Sequence, residues 1–160
     1  MSGGQGASHL IRAAEISDVP AMAALLHKYA ENGVLLPRSQ DDIYQHLQEF
    51  VVALMDDGAL CGVAALHVYG PGLAEVRSLA VDQQFHAQGI GQQLVQYIEL
   101  WARDLGIHSL FALTYVDSFF MRQGYVLTTK ESLPHKVWTV CVHCERFSRC
   151  DEIAVRKQLV

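Results

Sequence analysis

The stretch LAVDQQFHAQGIGQQLV, from Leu79 to Val95, passes from an apolar extended run into a helical one, with two glycines at the changeover. Ala74 to Val81 has the composition of a strand, and from Gly89 the apolar residues Ile90, Leu94, Val95, Ile98 and Trp101 recur at helical spacing until Gly106 stops them. Gly89 and Gly91 therefore lie where the backbone turns into a first helical turn. Unpaired N–H groups and the positive helix end at such a place can hold a diphosphate, and glycine removes the Cβ that would block close approach. The same two glycines also suit a tight strand-to-helix connection that binds nothing. Gly-Lys-Ser/Thr is missing, and no third glycine completes a dinucleotide fingerprint in a first β-α unit, so the two common nucleotide loops are excluded.

Working outward, the rest of the chain supplies an ordered set of elements. Ile11 begins a short extended stretch, and Ser17-Asp18-Val19-Pro20 reads as an N-cap and first helical turn. Val19, Met22, Ala23, Leu26 and Tyr29 then form an apolar stripe that Asn32-Gly33 ends. Ser39 is a second N-cap, with Asp42 at the third position of a helix running to about Leu47. Phe50–Met55, Asp56-Asp57-Gly58 and Leu60–Val68 read as strand, turn, strand, because Asp-Gly supplies the positive φ of a hairpin. With the strand from Ala74 this gives a meander. Leu110–Leu113 is a short buried-type strand, Ser118–Gln123 a short helix before Gly124, and Tyr125 returns to extended structure. The sum is an α+β fold with a mixed, mainly antiparallel twisted sheet, since a β-α-β crossover follows the meander.

A chain of 160 residues that is 51% hydrophobic supplies one substantial core. Residues 10–160 are expected to form a single domain, and residues 1–9 a disordered leader or a cloning remnant. The net charge of −5 opposes binding to nucleic acid or an anionic membrane, which leaves a small soluble ligand as the expected partner. No apolar run is long enough to span a bilayer and no secretory signal is present, so the expected location is the cytoplasm.

His86-Ala87-Gln88-Gly89-Ile90-Gly91 resembles motif A of the GNAT acetyltransferases, whose pattern is Gln/Arg-x-x-Gly-x-Gly/Ala after an LAV-like strand end. His86 stands where Gln or Arg is usual. FALTYVDSFFMRQGYV, Phe111 to Val126, resembles motif B, and Phe120 occupies the place of a tyrosine that commonly protonates the leaving thiolate. LLPRS at Leu35–Ser39, LAEVRSLAV at Leu73–Val81 and LPHKVW at Leu133–Trp138 resemble the short, single-domain N-acetylglutamate synthases. The resemblance covers about Ile11 to Val160. Longer members carry an arginine just after the LT of the fifth strand, whereas Leu113-Thr114 is followed here by Tyr115.

The resemblance implies a GNAT fold that binds acetyl-CoA at the glycine turn through Leu79, Ala80, Val81, His86, Ala87, Gln88, Gly89, Ile90, Gly91, Gln92, Phe120 and Arg122. It implies transfer of acetyl to the α-amino group of a small amino acid, with L-glutamate as the expected acceptor. Glutamine or another small amine is the runner-up, and a non-catalytic acyl-CoA-binding sensor is the reading outside enzymology. Homodimers are frequent in the family. Glu75 is the general-base candidate, the alternative being a solvated carboxylate or one paired with Arg77 on the same strand face. Backbone N–H groups around Leu79 to Val81 are the oxyanion donors. Tyr115 or water supplies the acid. A dicarboxylate acceptor calls for cations, for which Arg38 is favoured, with Ser39 beside it as a further substrate-binding residue and Arg77 and Lys136 as further candidate cations. Cys141, Cys144 and Cys150 lie close together, but no second two-cysteine pair completes a zinc fingerprint, and an alternating strand with small thiol fillers explains them. No metal is expected.

Overall fold

The computed structural model describes residues 9–33, 35, 38–86, 88–133 and 152–159. The chain divides into two compact units, one drawn from Met1–Leu66 and Val76–Trp101 and the other from His67–Glu75 and Ala102–Val160.

In the first unit, β1 (His9–Ala13) pairs antiparallel with β2 (Phe50–Met55), from His9 opposite Met55 to Ala13 opposite Val51. β2 pairs in turn with β3 (Leu60–Gly70), in register from Phe50 opposite Ala65 to Ala53 opposite Gly62, after which the register slips. The expected Asp-Gly hairpin joins them: Gly58 has φ +88°, and the Asp57 carboxylate accepts from the Ala59 N–H at 2.9 Å. β4 (Leu73–Val81) follows β3 in the strand order.

Helix α1 (Val19–Glu31) is entered differently from the sequence reading. Ser17 does not cap it. A 3-10 turn over Ile16–Asp18 leads in, and the Glu15 N–H donates to Asp18 Oδ2 at 2.7 Å, so the aspartate closes the 3-10 turn and occupies the N-cap position of α1 without a side-chain capping bond to that helix. Pro20 sits in the first turn, where its missing N–H costs nothing. α1 ends at Gly33 with φ +74°. Helix α2 is Gln40–Gln45, capped by Ser39 as read, and a 3-10 turn at Leu47–Glu49 replaces its expected last residues. Val19, Met22, Leu25 and Leu26 of α1, Ile43 of α2, Phe50 and Val52 of β2, Val63 and Ala65 of β3 and Ala80 of β4 form one buried cluster.

Helix α3 runs from Ile90 to Leu105, one residue later than its glycine suggested. Ile90, Leu94, Val95 and Ile98 are all buried, as their spacing predicts. A Cβ on Gly62 of β3 would stand 2.9 Å from Leu94 Cδ1 and 3.2 Å from Ile90 Cγ2, so this glycine allows helix and strand to approach closely.

In the second unit, the start of β4 pairs parallel with β5 (Ser109–Thr114), Ala74 opposite Leu110 and Glu75 opposite Phe111. This is the crossover that makes the sheet mixed. β5 pairs antiparallel with β7 (Ile153–Gln158), which also pairs antiparallel with β6 (Val126–Thr128). β7 was not anticipated. Helix α4 is Asp117–Met121, shorter than read, and Gly124 follows with φ +95°. Leu73, Phe111 and Leu133 form a second buried cluster with Tyr69 and Leu113 against it.

Candidate functional site

The first unit holds the glycine turn. At the end of β4 the Asp82 N–H donates to the Cys61 carbonyl at 2.8 Å, and the Asp82 carboxylate accepts from the Gln84 N–H at 3.2 Å, starting a 3-10 turn over Gln83–Phe85. Gly89 follows with φ +76°, a region that side chains resist, and its carbonyl accepts the first helical bond of α3 from Gln93 at 3.1 Å. The N–H groups of Ile90, Gly91 and Gln92 therefore belong to the first helical turn, where the helix itself supplies no acceptors and the dipole is positive. Nothing lies within 4 Å of where a Gly89 Cβ would be, so glycine is required there by conformation, and the space beside it is open. A diphosphate fits this arrangement. Gln88 is exposed, and Ala80 and Ile90 are buried, so the last two could offer a ligand only backbone. Leu79 is half-buried, and Ala87 lies outside the described residues.

His86 folds back over this turn. Its Nε2 lies 2.8 Å from the Val81 carbonyl and 3.2 Å from the hydroxyl of Tyr29, which comes from α1. Tyr29 Oη donates to the Val81 carbonyl at 2.6 Å and accepts from the Val81 N–H at 3.2 Å. Burial pushes the Tyr29 hydroxyl above its ordinary value while the Val81 carbonyl bond pulls the other way, so it stays protonated at neutral pH. Among the oxyanion candidates from Leu79 to Val81, the Val81 N–H is thus already engaged. Tyr29 was read only as part of an apolar stripe, because nothing in the spacing shows where its hydroxyl points.

The same unit holds Arg38, whose side chain is only 15% exposed. Its Nε pairs with Asp42 Oδ2 at 2.6 Å, its Nη1 donates to Ser78 Oγ at 3.2 Å, and its guanidinium lies 4.9 Å from the centre of the Phe50 ring. Ser78 is the one non-glycine residue with positive φ among the described residues, at +54° in mid-strand, and no sequence signal marks it. Ser39 Oγ accepts from the Asp42 N–H at 3.0 Å, so Ser39 serves the helix cap rather than presenting a free hydroxyl. Asp42 Oδ1 faces His46 Nδ1 at 3.1 Å. Arg77 is half-buried. Lys136 lies outside the described residues.

In the second unit, Glu75 is buried on β4 and its Oε1 accepts from the Tyr69 hydroxyl at 3.2 Å. Tyr69 packs on Phe111, with ring centres 5.8 Å apart, and edge-on to His67 at 4.8 Å. A carboxylate in such a setting can accept a proton without being lost to bulk solvent. Tyr115 is half-buried beyond β5. Phe120 is buried between Phe119 and Tyr125, each 5.2 Å away edge-on, so the side chain at the motif B position packs in the core. Arg122 is exposed at the end of α4.

Cys61 donates its thiol to the Ala53 carbonyl at 3.3 Å, and burial pushes it up to about 11, which leaves it protonated and a poor nucleophile. Among the described residues no group of three or more His, Cys, Asp or Glu side chains is placed to hold a metal. Cys141, Cys144 and Cys150 lie outside the described residues. Among the described residues no helix is long and apolar enough to cross a membrane.

Known proteins share this architecture. Residues 19–125 match the Acetyltransferase (GNAT) family. The chain is 38% identical over 149 residues to an uncharacterized N-acetyltransferase of Chlorobaculum tepidum, covering 93% of this chain and 96% of that protein. It is 39% identical over 118 residues to the amino-acid acetyltransferase of Mycobacterium tuberculosis, covering 72% and 67% respectively. Among solved structures, the N-acetylglutamate synthase of Neisseria gonorrhoeae complexed with coenzyme A and N-acetyl-glutamate superposes with a TM-score of 0.88 at 30% identity, over 98% of this chain and 36% of that one.

Proposed function

This chain belongs to the GNAT acetyltransferase family, and from that premise we propose that it acetylates the α-amino group of L-glutamate, giving N-acetylglutamate. It is an acetyl-CoA-dependent N-acetyltransferase of amino acids, as the relatives named amino-acid acetyltransferase are. The first turn of α3 and Gly89 fit the coenzyme's diphosphate, and the coenzyme supplies the acetyl group as a thioester. Leu79, Ala80, Val81, His86, Ala87, Gln88, Ile90, Gly91, Gln92, Phe120 and Arg122 complete the proposed contacts, of which Ala80, Ile90 and Phe120 are assigned to backbone because their side chains are buried.

In the proposed reaction Glu75 takes a proton from the acceptor's ammonium, directly or through water, and the neutral nitrogen attacks the thioester carbonyl. Leu79 and Ala80 N–H groups are the remaining candidates to stabilise the resulting oxyanion. The C–S bond then breaks, the thiolate takes a proton from Tyr115 or from water, and the nitrogen's second proton replaces the one so given, leaving a neutral amide and a free thiol. No acyl-cysteine is required in this reading.

The observation that carries the glutamate assignment is Arg38, a largely buried guanidinium fixed by Asp42, Ser78 and Phe50, from which Nη2 would donate to a carboxylate. Arg77 and Lys136 are the further cations proposed for the acceptor. Asp42 also favours a second reading. By neutralising Arg38 it makes an amide side chain acceptable, so glutamine is the competitor. An acceptor screen with acetyl-CoA, scored by kcat/KM, decides: glutamate should lead, and a polyamine or protein N-terminus ahead of every amino acid would end the proposal. A chain that binds coenzyme A but releases no thiol with any acceptor would instead be a sensor. A small-molecule acceptor and a cytoplasmic location complete the reading.

A further inference from the structure

We infer that Tyr29 and His86 form a clasp that presets the glycine turn for the coenzyme, making Tyr29 a positioning residue for cofactor affinity. The inference rests on the acetyltransferase reading above, because it concerns the same turn.

The argument begins with proton count. The Val81 carbonyl carries no proton, and it is approached by Tyr29 Oη at 2.6 Å and His86 Nε2 at 2.8 Å, so both of these must donate. The single Tyr29 proton is thereby committed, and the hydroxyl oxygen accepts from the Val81 N–H at 3.2 Å. His86 Nε2, 3.2 Å from that oxygen, must carry the ring proton and can share it between the two acceptors. Nδ1 is then the imidazole's other nitrogen, directed away from the clasp. One hydroxyl from α1 thus gathers both backbone groups of Val81, the last residue of β4, and the side chain of His86, which opens the run to Gly89.

The connection from Val81 to Ile90 has its own local ties, the Asp82 N–H to the Cys61 carbonyl at 2.8 Å and the Asp82 side chain to Gln84 at 3.2 Å. Bonds from the Phe85 N–H to the Asp82 carbonyl at 2.9 Å and from the His86 N–H to the Gln83 carbonyl at 3.2 Å continue the turn as far as the His86 backbone. The exposed His86 side chain has no burial to hold it, so its bonds to Val81 and Tyr29 are what tie the far end of the 3-10 turn back to β4 and α1. A turn already in its binding conformation loses less entropy when a diphosphate arrives, and that saving appears as affinity. The clasp acts on coenzyme binding and not on the acceptor amine. His86 in place of the family's usual Gln or Arg is accounted for by this: an imidazole reaches back to strand and tyrosine, which gives the position a task that does not need a charged contact to phosphate.

The test is calorimetric titration of coenzyme A into wild-type, Tyr29→Phe, His86→Ala and the double variant, with KM measured for the acceptor. Tyr29→Phe keeps the ring in the core, and His86→Ala removes only an exposed side chain, so at least one of them folds. Each single variant should weaken coenzyme binding by about tenfold, the scale of a lost network bond. The acceptor KM should stay within about twofold, and the double variant should lose less than the product of the two single losses, because each removes part of one unit. Unchanged coenzyme affinity, an equal rise in acceptor KM, or additive losses would each overturn the clasp. Wild-type protein that fails to bind coenzyme A overturns the acetyltransferase reading and the clasp together. Wild-type binding with an unaltered Tyr29→Phe overturns the clasp alone.

Discussion

At the scale of single residues, Glu75 and Arg38 are charged groups withdrawn from water, each held by a neighbour that fixes its direction. Glu75 is bound by Tyr69 at 3.2 Å, and Glu75→Gln keeps that acceptor and the volume while removing the base. Its kcat should fall by about 10²–10⁴-fold, the usual range for general acid-base catalysis, with coenzyme affinity unchanged. A variant that keeps the wild-type pH-rate profile would reduce Glu75 to a structural carboxylate. Arg38→Ala should raise KM for glutamate by roughly tenfold or more, since a charge-assisted contact is worth about 1.5–3 kcal/mol. Asp42→Asn works in the other direction: removing the negative partner at 2.6 Å should raise the glutamate-to-glutamine ratio of kcat/KM by about fivefold, the effect of roughly 1 kcal/mol. No change in that ratio would mean the acceptor's carboxylate binds elsewhere. Both charges were legible in the sequence, because a charge inside an apolar run demands an explanation. Tyr29 was not, since a tyrosine at helical spacing reads as core until its hydroxyl is located. Ser78 was not either, because a serine in a strand carries no mark of a positive φ.

At the scale of elements, two glycines near α3 act by different physics, and substitution separates them. Gly89 has open space around it and φ +76°, so Gly89→Ala meets no atom but must hold a left-handed backbone, costing about 1–2 kcal/mol. Relaxing that strain moves the first helical turn, and coenzyme affinity should fall further than the melting temperature suggests. Gly62 has no such φ constraint, but its added Cβ would press Leu94 at 2.9 Å, Ile90 at 3.2 Å and the Ala80 carbonyl at 3.4 Å. Leu94 can turn its far methyl aside more readily than backbone can move, so Gly62→Ala should cost about 1–3 kcal/mol of stability, read from urea unfolding. A melting temperature equal to wild type for Gly62→Ala would show that helix and strand are not in close contact there. The elements around these glycines were legible because α3 keeps a strict apolar stripe and the hairpin carries Asp-Gly. β7 was not. Ala154 and Val155 are buried side by side, and the next two residues are charged, with Arg156 donating to Ser109 Oγ at 3.1 Å and Lys157 to the Gln123 carbonyl at 2.8 Å. Cations bound by the fold at both faces erase the alternation by which a strand is recognised.

At the scale of the whole molecule, the order of elements was legible because a meander followed by a β-α-β crossover leaves few ways to build a mixed sheet, and the parallel pairing of Ala74–Glu75 with Leu110–Phe111 is the expected outcome. The division into two compact units was not legible, because both β3 and β4 contribute residues to each unit and no composition change marks the boundaries. The global property most open to test is acid stability, and one ion pair in the first unit sets its sign. Arg12 forks Asp18 through Nη1 to Oδ2 at 2.7 Å and Nη2 to Oδ1 at 3.1 Å, while the Glu15 N–H adds a third bond at 2.7 Å, joining β1 to the start of α1. The hydrogen bonds from Arg12 hold the Asp18 carboxyl below its ordinary value of 3.8 against the opposing effect of burial. A carboxyl depressed by folding binds its proton more readily in the unfolded chain, so its contribution to stability is fully present above the unfolded value and is lost as pH falls through the lower folded one. Unfolding by urea, followed from pH 6 down to about pH 2, should therefore show wild type more stable than Asp18→Asn at the top of the range, with the gap closing below about 3.8 as the folded carboxyl protonates. The asparagine keeps an acceptor for the Glu15 N–H but cannot titrate, which isolates the ionic part of the contact. A gap of constant size across the whole range would mean that Asp18 contributes only geometry, and the acid sensitivity of the fold would then have to come from its other carboxylates.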